Sequence, residues 1–401
     1  MYASLLARIA STRAPGRGRC TPRPHPALKL AGAGILLALS VGSPAPALAA
    51  AGESGPPPKA PACFGAAARD LLHPCSNSAL RFRVTPTPDN ALIEPNAECV
   101  TVSLISKPFV CSFGFTPPEA ARAAGTIALV GDSHAAHWRA ALDPFAKARE
   151  WTGYSLTRSS CPFSTTTPVL EESTRRACVK WNPQVQAWFR RHKEVSTVFL
   201  SEHIQVRVTD SKKRGQYEAK VRGYMNQMSA LPASVTRVVV IKDTPRATGK
   251  TAACVAGAVR KKQRAGTACA IPRSFSVKPD PAVEAVRRLK SPRYMAVDLT
   301  SFFCSSRFCF PVIGGVLVFK DPGHITRAFG ETLAPYLQRA VEKLAPFKPL
   351  TEPAPQAPSQ LDPPATTPAP QPTPTPEPAP ATPPVTDPAP VAPAAAASPA
   401  A

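Results

Sequence analysis

Acidic side chains are scarce in this 401-residue chain: 26 Asp and Glu stand against 48 Lys and Arg, a formal charge of +22 at pH 7. The basic residues occur as scattered doublets and triplets, among them Arg175-Arg176, Arg190-Arg191, Lys212-Lys213-Arg214, Lys261-Lys262 and Arg287-Arg288. None is interleaved with aromatics as a nucleic-acid platform would be, so no nucleic-acid partner is expected. The charge reads as solubility and attraction to an anionic cell envelope. Long apolar runs are missing too: after LAGAGILLALSV (30–41) none is long enough to span a bilayer. No CxxC pair has a downstream His or Cys at metal spacing, so disulfides are favoured over zinc; no metal and no cofactor is expected. No internal repeat is present.

Proline is abundant instead. Twenty of the fifty prolines fall in the last 56 residues, where few apolar side chains are left to bury and each proline removes a backbone donor. Residues 346–401 are expected to be a disordered or polyproline II spacer rather than a docking ligand. At the other end, Arg8, Arg13, Arg17, Arg19, Arg23 and Lys29 precede the apolar run, and APALAA offers small residues for cleavage near Ala49. Residues 1–49 are read as a signal peptide, preferred over an uncleaved anchor because the run is short and followed by Pro44 and Pro46. The chain is therefore expected to be secreted or envelope-associated.

Export changes the reading of the eleven cysteines. Cys20 lies in the leader. The other ten, Cys63, Cys75, Cys99, Cys111, Cys161, Cys178, Cys254, Cys269, Cys304 and Cys309, form neighbours along the chain and are expected to pair sequentially into five disulfides. Residues 50–120, rich in Cys and Pro with little periodicity, read as a stapled extension packed on the main domain at 121–345. There, short β-branched runs (127–130, 197–200, 237–241, 295–299, 316–319, with 155–157 weaker) alternate with amphipathic segments (135–149, 182–192, 216–230, 280–290, 325–344). Near-continuous apolar strands separated by helices predict an α/β fold, with a central parallel sheet covered on both faces.

The first of those runs ends in TIALVGDSHAAHW. In doubly wound sheets, ligands bind beyond the carboxyl ends of strands, and VGDSH sits at such an end. Gly131 permits a sharp turn, and Ser133 stands at the mouth with amides behind it that can stabilise an oxyanion. Alone, the pattern is equally a capped helix start with Asp132 or Ser133 as N-cap. What changes the reading is VLVFKDPGHITRAF near the far end of the fold, where Asp321 and His324 sit three apart on a tight loop. A serine hydroxyl needs a base, and the base needs an orienting carboxylate. In a parallel sheet both loops open on one edge, which completes the order Ser…Asp…His.

GDSHAAHW together with KDPGHIT resembles the SGNH/GDSL hydrolase superfamily. More narrowly, the chain resembles the SGNH domain at the C-terminus of membrane-bound acyltransferase-3 family proteins, which O-acetylate cell-envelope polysaccharides. ACFGAAARD, SSCPF, CVKWNPQV, VVVIKDTPRATG and DLTSFFCSSRFCFPVIGGV extend the likeness over about 61–344. The resemblance implies a flavodoxin-like, three-layer α/β/α fold. It also implies Ser133 as nucleophile, His324 as base and Asp321 as its orienting acid, with Asp132 and His134 serving the turn. The multi-spanning membrane domain is missing, so the chain looks like a free-standing, exported version.

The departure concerns the oxyanion hole. The superfamily's block glycine and its Gly-x-Asn-Asp asparagine are not found, and Ser201, Glu202 or His203 stands in the asparagine's place. The Ser133 amide and the loop of Ser159, Ser160 and Cys161 remain as donors; Gly131, Asp132, His134, Ser160 and His203 are the pocket candidates. A hole short of one donor loses about 2–4 kcal/mol of transition-state stabilisation. His137 is assigned to the pocket entrance, Trp138 and Trp181 to core or lip, and Asp243 to a turn before Thr-Pro.

The expectation is an exported, serine-dependent acyl-transfer enzyme working on O-acyl groups, most simply O-acetyl, of an envelope glycan. A separate membrane acyltransferase would be its acyl donor. The alternatives are a carbohydrate O-acetylesterase and a glycan-binding module with weak chemistry.

Overall fold

The computed structural model describes residues 60–347 apart from 104, 106 and 210–214. The expected leader and nearly all of the expected proline-rich tail lie outside the described residues. A seven-stranded sheet forms the centre. Its strands are β1 (Val100–Ser103), β2 (Val110–Gly114), β3 (Gly125–Gly131), β4 (Trp151–Thr157), β5 (Thr197–Ser201), β6 (Arg237–Ile241) and an edge strand at Tyr294–Val297. They lie in the order β1-β2-β4-β3-β5-β6-(Tyr294–Val297). The five strands from β4 to Tyr294–Val297 run parallel. β1 and β2 add an antiparallel margin, with Cys111 of β2 opposite Ser155 of β4. Residues from the Cys/Pro-rich region thus continue the sheet as well as packing on it.

The two faces follow from strand periodicity. Ile127 and Leu129 of β3 point into one core with Trp138, Phe145, Phe199, Val239 and Phe329. Ala128 and Val130 point into the other with Trp181, Val185, Phe189, Val198 and Met228. Helices Arg139–Ala148, Arg327–Thr332 and Ala334–Leu344 cover the first face; Glu172–Arg191, Gly215–Ser229 and Pro281–Leu289 cover the second. The result is a three-layer α/β/α sandwich. Trp138 and Trp181 are both buried in these cores.

Several elements differ from the sequence expectation. β4 is a full seven-residue strand rather than three residues. Its Gly153 hides the pattern because the Phe113 ring lies where a side chain would be, 2.3 Å from a Cβ at that position. The segment expected as one helix over 135–149 is two, Ser133–His137 and Arg139–Ala148, redirected at Trp138. The helix expected from 182 begins at Glu172 and runs through Pro183. The expected strand at 316–319 is not in the central sheet. Val316–Leu317 pairs with Val312–Ile313 in a two-residue hairpin, turned at Gly314 and Gly315, whose φ values are +52° and +75°. Its apolar run reports burial, since Val316 and Val318 are fully covered, and not sheet membership.

All five disulfides pair as neighbours: Cys63–Cys75, Cys99–Cys111, Cys161–Cys178, Cys254–Cys269 and Cys304–Cys309. The region ahead of the sheet is also tied down by charge. Arg339, on the last helix, forks onto Asp70 with Nη1–Oδ2 at 2.9 Å and Nη2–Oδ1 at 2.7 Å, the bidentate geometry a planar guanidinium favours. No described helix is long and apolar enough to cross a membrane.

Candidate active site

The chain reverses direction across the sheet at β3, whose neighbours are β4 on one side and β5 on the other. This is the switch point at which two strand ends leave a crevice. The residue ending β3 is Gly131, at φ +141°, where a Cβ would stand 2.2 Å from the Ser201 carbonyl oxygen and 2.9 Å from Ala135 Cβ. Only glycine fits such a turn. Asp132 follows as the N-cap: Oδ1 accepts the His134 amide at 2.8 Å and Oδ2 accepts the His203 amide at 3.0 Å, so one buried carboxylate stitches the loops after β3 and β5. Ser133 is the first helical residue, half-buried at the crevice. Because its helix is only five residues long, local amides rather than a long helix dipole are what it offers a developing anion.

The Asp321–His324 loop arrives by a different route from the one expected. It is not the end of a central strand. Phe319 bridges Ile325, the Lys320 amide donates to the His324 carbonyl at 3.0 Å, and the Thr326 amide donates to Val318 at 2.8 Å. Thr326 then caps helix Arg327–Thr332. That helix sits close against helix Arg139–Ala148 because Gly330 has no side chain; a Cβ there would lie 2.7 Å from Ala140 Cβ. Within the loop, His324 Nδ1 lies 2.8 and 3.0 Å from the two Asp321 oxygens, and Asp321 Oδ1 also accepts the amides of Gly323 and His324 at 2.8 Å. Burial disfavours the Asp321 carboxylate, but the His324 ring and these amides outweigh it and hold the pKa down at about 2. The Nδ1 bond leaves Nε2 as the free face of the ring.

This loop packs on the helix that carries Ser133. The His324 ring centroid lies 5.0 Å from that of His134 and 6.0 Å from that of His137. No hydrogen bond joins Ser133 Oγ to His324 among the described residues; such bonds are commonly long before substrate is present.

Behind the Ser–His face is a second layer. His134 Nδ1 lies 2.6 Å from Asp243 Oδ1, both side chains buried. Asp243 Oδ2 accepts the Ile204 amide at 3.0 Å, and the Asp243 amide donates to Asp280 at 2.8 Å. Burial opposes a charged His134, yet the Asp243 carboxylate prevails and raises its pKa. His203 stacks on His134 at 4.1 Å with 9° between the rings. Burial, reinforced by the neighbouring His134, lowers its pKa to about 4, so His203 is neutral at pH 7. Glu202 is buried with Oε1 accepting the Phe163 amide at 2.7 Å and Oε2 unpartnered. Its pKa is raised well above the ordinary carboxylate value by burial and then by Asp132, which favours the protonated form.

Four of the seven histidines thus meet at one sheet edge. Among the described residues no group of three or more His, Cys, Asp or Glu is arranged to hold a metal ion.

A family model described as SGNH domain, fused to AT3 domains, matches residues 98–339, more than half of the chain. The chain belongs to the SGNH domain family. Among the solved structures similar to it are two at low identity. One is the periplasmic domain of the Salmonella ser. Paratyphi A lipopolysaccharide acetyltransferase: 13% identity, 54% of this chain and 83% of that one, TM-score 0.42. The other is a putative acylhydrolase from Bacteroides fragilis NCTC 9343: 14% identity, 57% and 90%, TM-score 0.30. At these scores the likeness carries no weight beyond the family match. No curated protein matches the chain.

Within this SGNH domain, Ser133, Asp132, Gly131, His134 and His203 gather with Asp321 and His324. Ser160 lies in the loop after β4, exposed and at φ +58°, and bonds to neither Ser133 nor His324 among the described residues. The loop after β5 gives its amide to Asp132 and its His203 ring to the crevice. His137 does not line an entrance: it is buried with neither ring nitrogen partnered. Asp243 is no mere turn residue but the partner of His134. Its signal in the sequence was its place at the carboxyl end of β6, the same edge that holds Ser133.

Proposed function

We propose that this SGNH domain is a serine-dependent acyl-transfer enzyme acting on O-acyl, most simply O-acetyl, groups of a cell-envelope glycan. The observation that carries the reading is the Asp321–His324 couple, with Nδ1 engaged at 2.8 Å, seated against the helix that begins with Ser133. Ser133 Oγ attacks the ester carbonyl carbon while His324 Nε2 takes its proton. The tetrahedral oxyanion is met by the Ser133 amide and by neutral His203 as a side-chain donor in place of an asparagine. Collapse breaks the C–O bond, His324 returns the proton to the departing alcohol, and Ser133 is left acylated. A second alcohol or water, deprotonated by His324, then releases the acyl group by the reverse sequence. A sugar hydroxyl as acceptor makes the enzyme a transferase; water makes it an esterase. Family membership supports a transferase supplied by a membrane acyltransferase partner, and five disulfides among the described residues support work outside the cytoplasm.

The test is p-nitrophenyl acetate turnover by wild type beside Ser133→Ala, His324→Ala and Asp321→Asn. Loss of turnover in all three is expected. Equal rates in wild type and Ser133→Ala would leave a glycan-binding module as the better account. Mass spectrometry of envelope polysaccharide, with and without the protein, separates transfer (less acetyl in its absence) from hydrolysis (more).

A further inference from the structure

Away from Ser133, a cavity of about 370 Å³ opens where the Cys63–Cys75 staple meets the hairpin around Gly314 and Gly315. Four guanidinium-bearing residues line it, Arg69, Arg81, Arg83 and Arg264, and no carboxylate does. Among the described residues none of the four is in an ion pair. Arg69 is half-buried: Nε donates to the Ser301 carbonyl at 2.9 Å, Nη2 to the Cys304 carbonyl at 2.7 Å, and its head lies 5.1 Å from the Phe310 ring centroid. Burial lowers its pKa. The Arg81 and Arg264 side chains are exposed and make no hydrogen bond among the described residues, the Arg81 head lying 5.0 Å from the Phe82 ring centroid.

The walls are built rather than incidental. The Gly65 amide donates to the Gly314 carbonyl at 3.1 Å, and a Cβ on Gly314 would stand 2.4 Å from the Cys63 carbonyl oxygen. The Thr85 amide donates to Gly315 and the Leu317 amide to Thr85, both at 2.9 Å. A concave wall with one sign of charge raises the local concentration of counter-ions, and guanidinium forks match carboxylate and phosphate oxygens. Phe310 and Leu80 add an apolar floor suited to the C–H face of a pyranose. The volume falls in the range of a small-ligand site.

We propose that this cavity is a binding subsite for an acidic saccharide, its carboxylate or phosphate held by Arg69, Arg81, Arg83 and Arg264. The anionic part stands on the cavity alone; the saccharide part rests on the acyl-glycan reading of Ser133. The site would hold an acidic glycan on the enzyme independently of acyl chemistry.

The test is calorimetric titration of the full chain with tetragalacturonate, glucose 1-phosphate and neutral maltotetraose, for wild type, Arg81→Ala/Arg264→Ala and a control, Arg190→Ala/Arg191→Ala, elsewhere on the surface. Saturable binding of at least one acidic probe, none of maltotetraose, and a tenfold or greater loss in the Arg81/Arg264 pair alone are expected. The ratio between the two acidic probes tells carboxylate from phosphate. Equal loss in both double variants, or no binding of either acidic probe, overturns the proposal. p-Nitrophenyl acetate turnover, run in parallel, is expected to be unchanged in both pairs. If Ser133→Ala fails to abolish that turnover while acidic probes still bind, the catalytic reading fails and the subsite survives.

Discussion

His134 Nδ1 and Asp243 Oδ1 lie 2.6 Å apart, both buried, on segments that follow two different strands of one sheet. They form a second histidine–aspartate couple directly behind the one made by His324 and Asp321. Its ring supports His203 by stacking and stands 5.0 Å from His324. On the proposed reading His134 is a positioning residue, holding the rings of His324 and His203 at a fixed separation.

Asp243→Ala leaves a buried imidazole without its anion and is expected to cost about 3 kcal/mol in chemical denaturation, since breaking a buried pair strands the partner. Asp243→Asn keeps a hydrogen-bond acceptor and is expected to cost about half as much. In Asp243→Asn, kcat for p-nitrophenyl acetate should fall about tenfold with KM little changed, and the pH–rate profile should shift. An unmoved profile would reduce the couple to a structural tie.

Asp321 and His324 should behave as a unit. Asp321→Asn removes the carboxylate that fixes the Nδ1–H tautomer, and a fall in kcat of about 10²–10⁴ is expected. His324→Ala should cost as much or more, and the double variant little beyond the larger single effect. Additive losses would show that the two do not act on one proton.

Acid should unfold the site through His203. Its folded pKa, about 4, lies below its ordinary 6.5, so the neutral form is the one that folding favours. That contribution is fully present above pH 6.5 and is lost as pH falls toward 4. For a partly exposed ring the effect is on the order of 1–2 kcal/mol after screening. Thermal melts of wild type and His203→Gln between pH 7 and 4 measure it: the variant should lose less stability across that window. Identical slopes would place the acid sensitivity elsewhere.

Gly131→Ala places a Cβ 2.2 Å from a backbone oxygen at a positive φ. A loss of about 2–4 kcal/mol is expected from steric overlap and backbone strain together. Urea titration reads it, and a cost below about 1 kcal/mol would mean that β3 and β5 separate more easily than their register implies.

The parts of this molecule that were legible in sequence are those governed by local periodicity. β-branched runs marked β3, β5 and β6, and the disulfides paired as neighbours because each closes only a short loop. The candidacy of Ser133, Asp321 and His324 rests on local patterns, a serine at a strand end and an acid three residues before an imidazole, and the Asp321–His324 contact is present at 2.8 Å. The His134–Asp243 couple was not: its members are 109 residues apart and a short Asp-Thr-Pro turn accounts for the aspartate as well. The strand at Trp151–Thr157 was obscured by Gly153, whose blank side chain makes room for Phe113. Pro183 imitated a helix start because the first helical turn tolerates proline, while the real start lay eleven residues earlier at Glu172. Val316–Phe319 carried the composition of a strand and the burial of one, but its backbone partners are a hairpin and Thr85.

Gly330 lets the segment after His324 settle directly onto Ala140, just behind the serine's own helix. The Ser133 hydroxyl stands on the helix that follows an early strand, whereas His324, its proposed base, is delivered by nearly the last piece of the fold to be synthesised. On the proposed mechanism, a chain interrupted anywhere short of that loop can assemble most of its sheet and still be chemically silent, so acyl turnover would double as a report that the whole domain has closed.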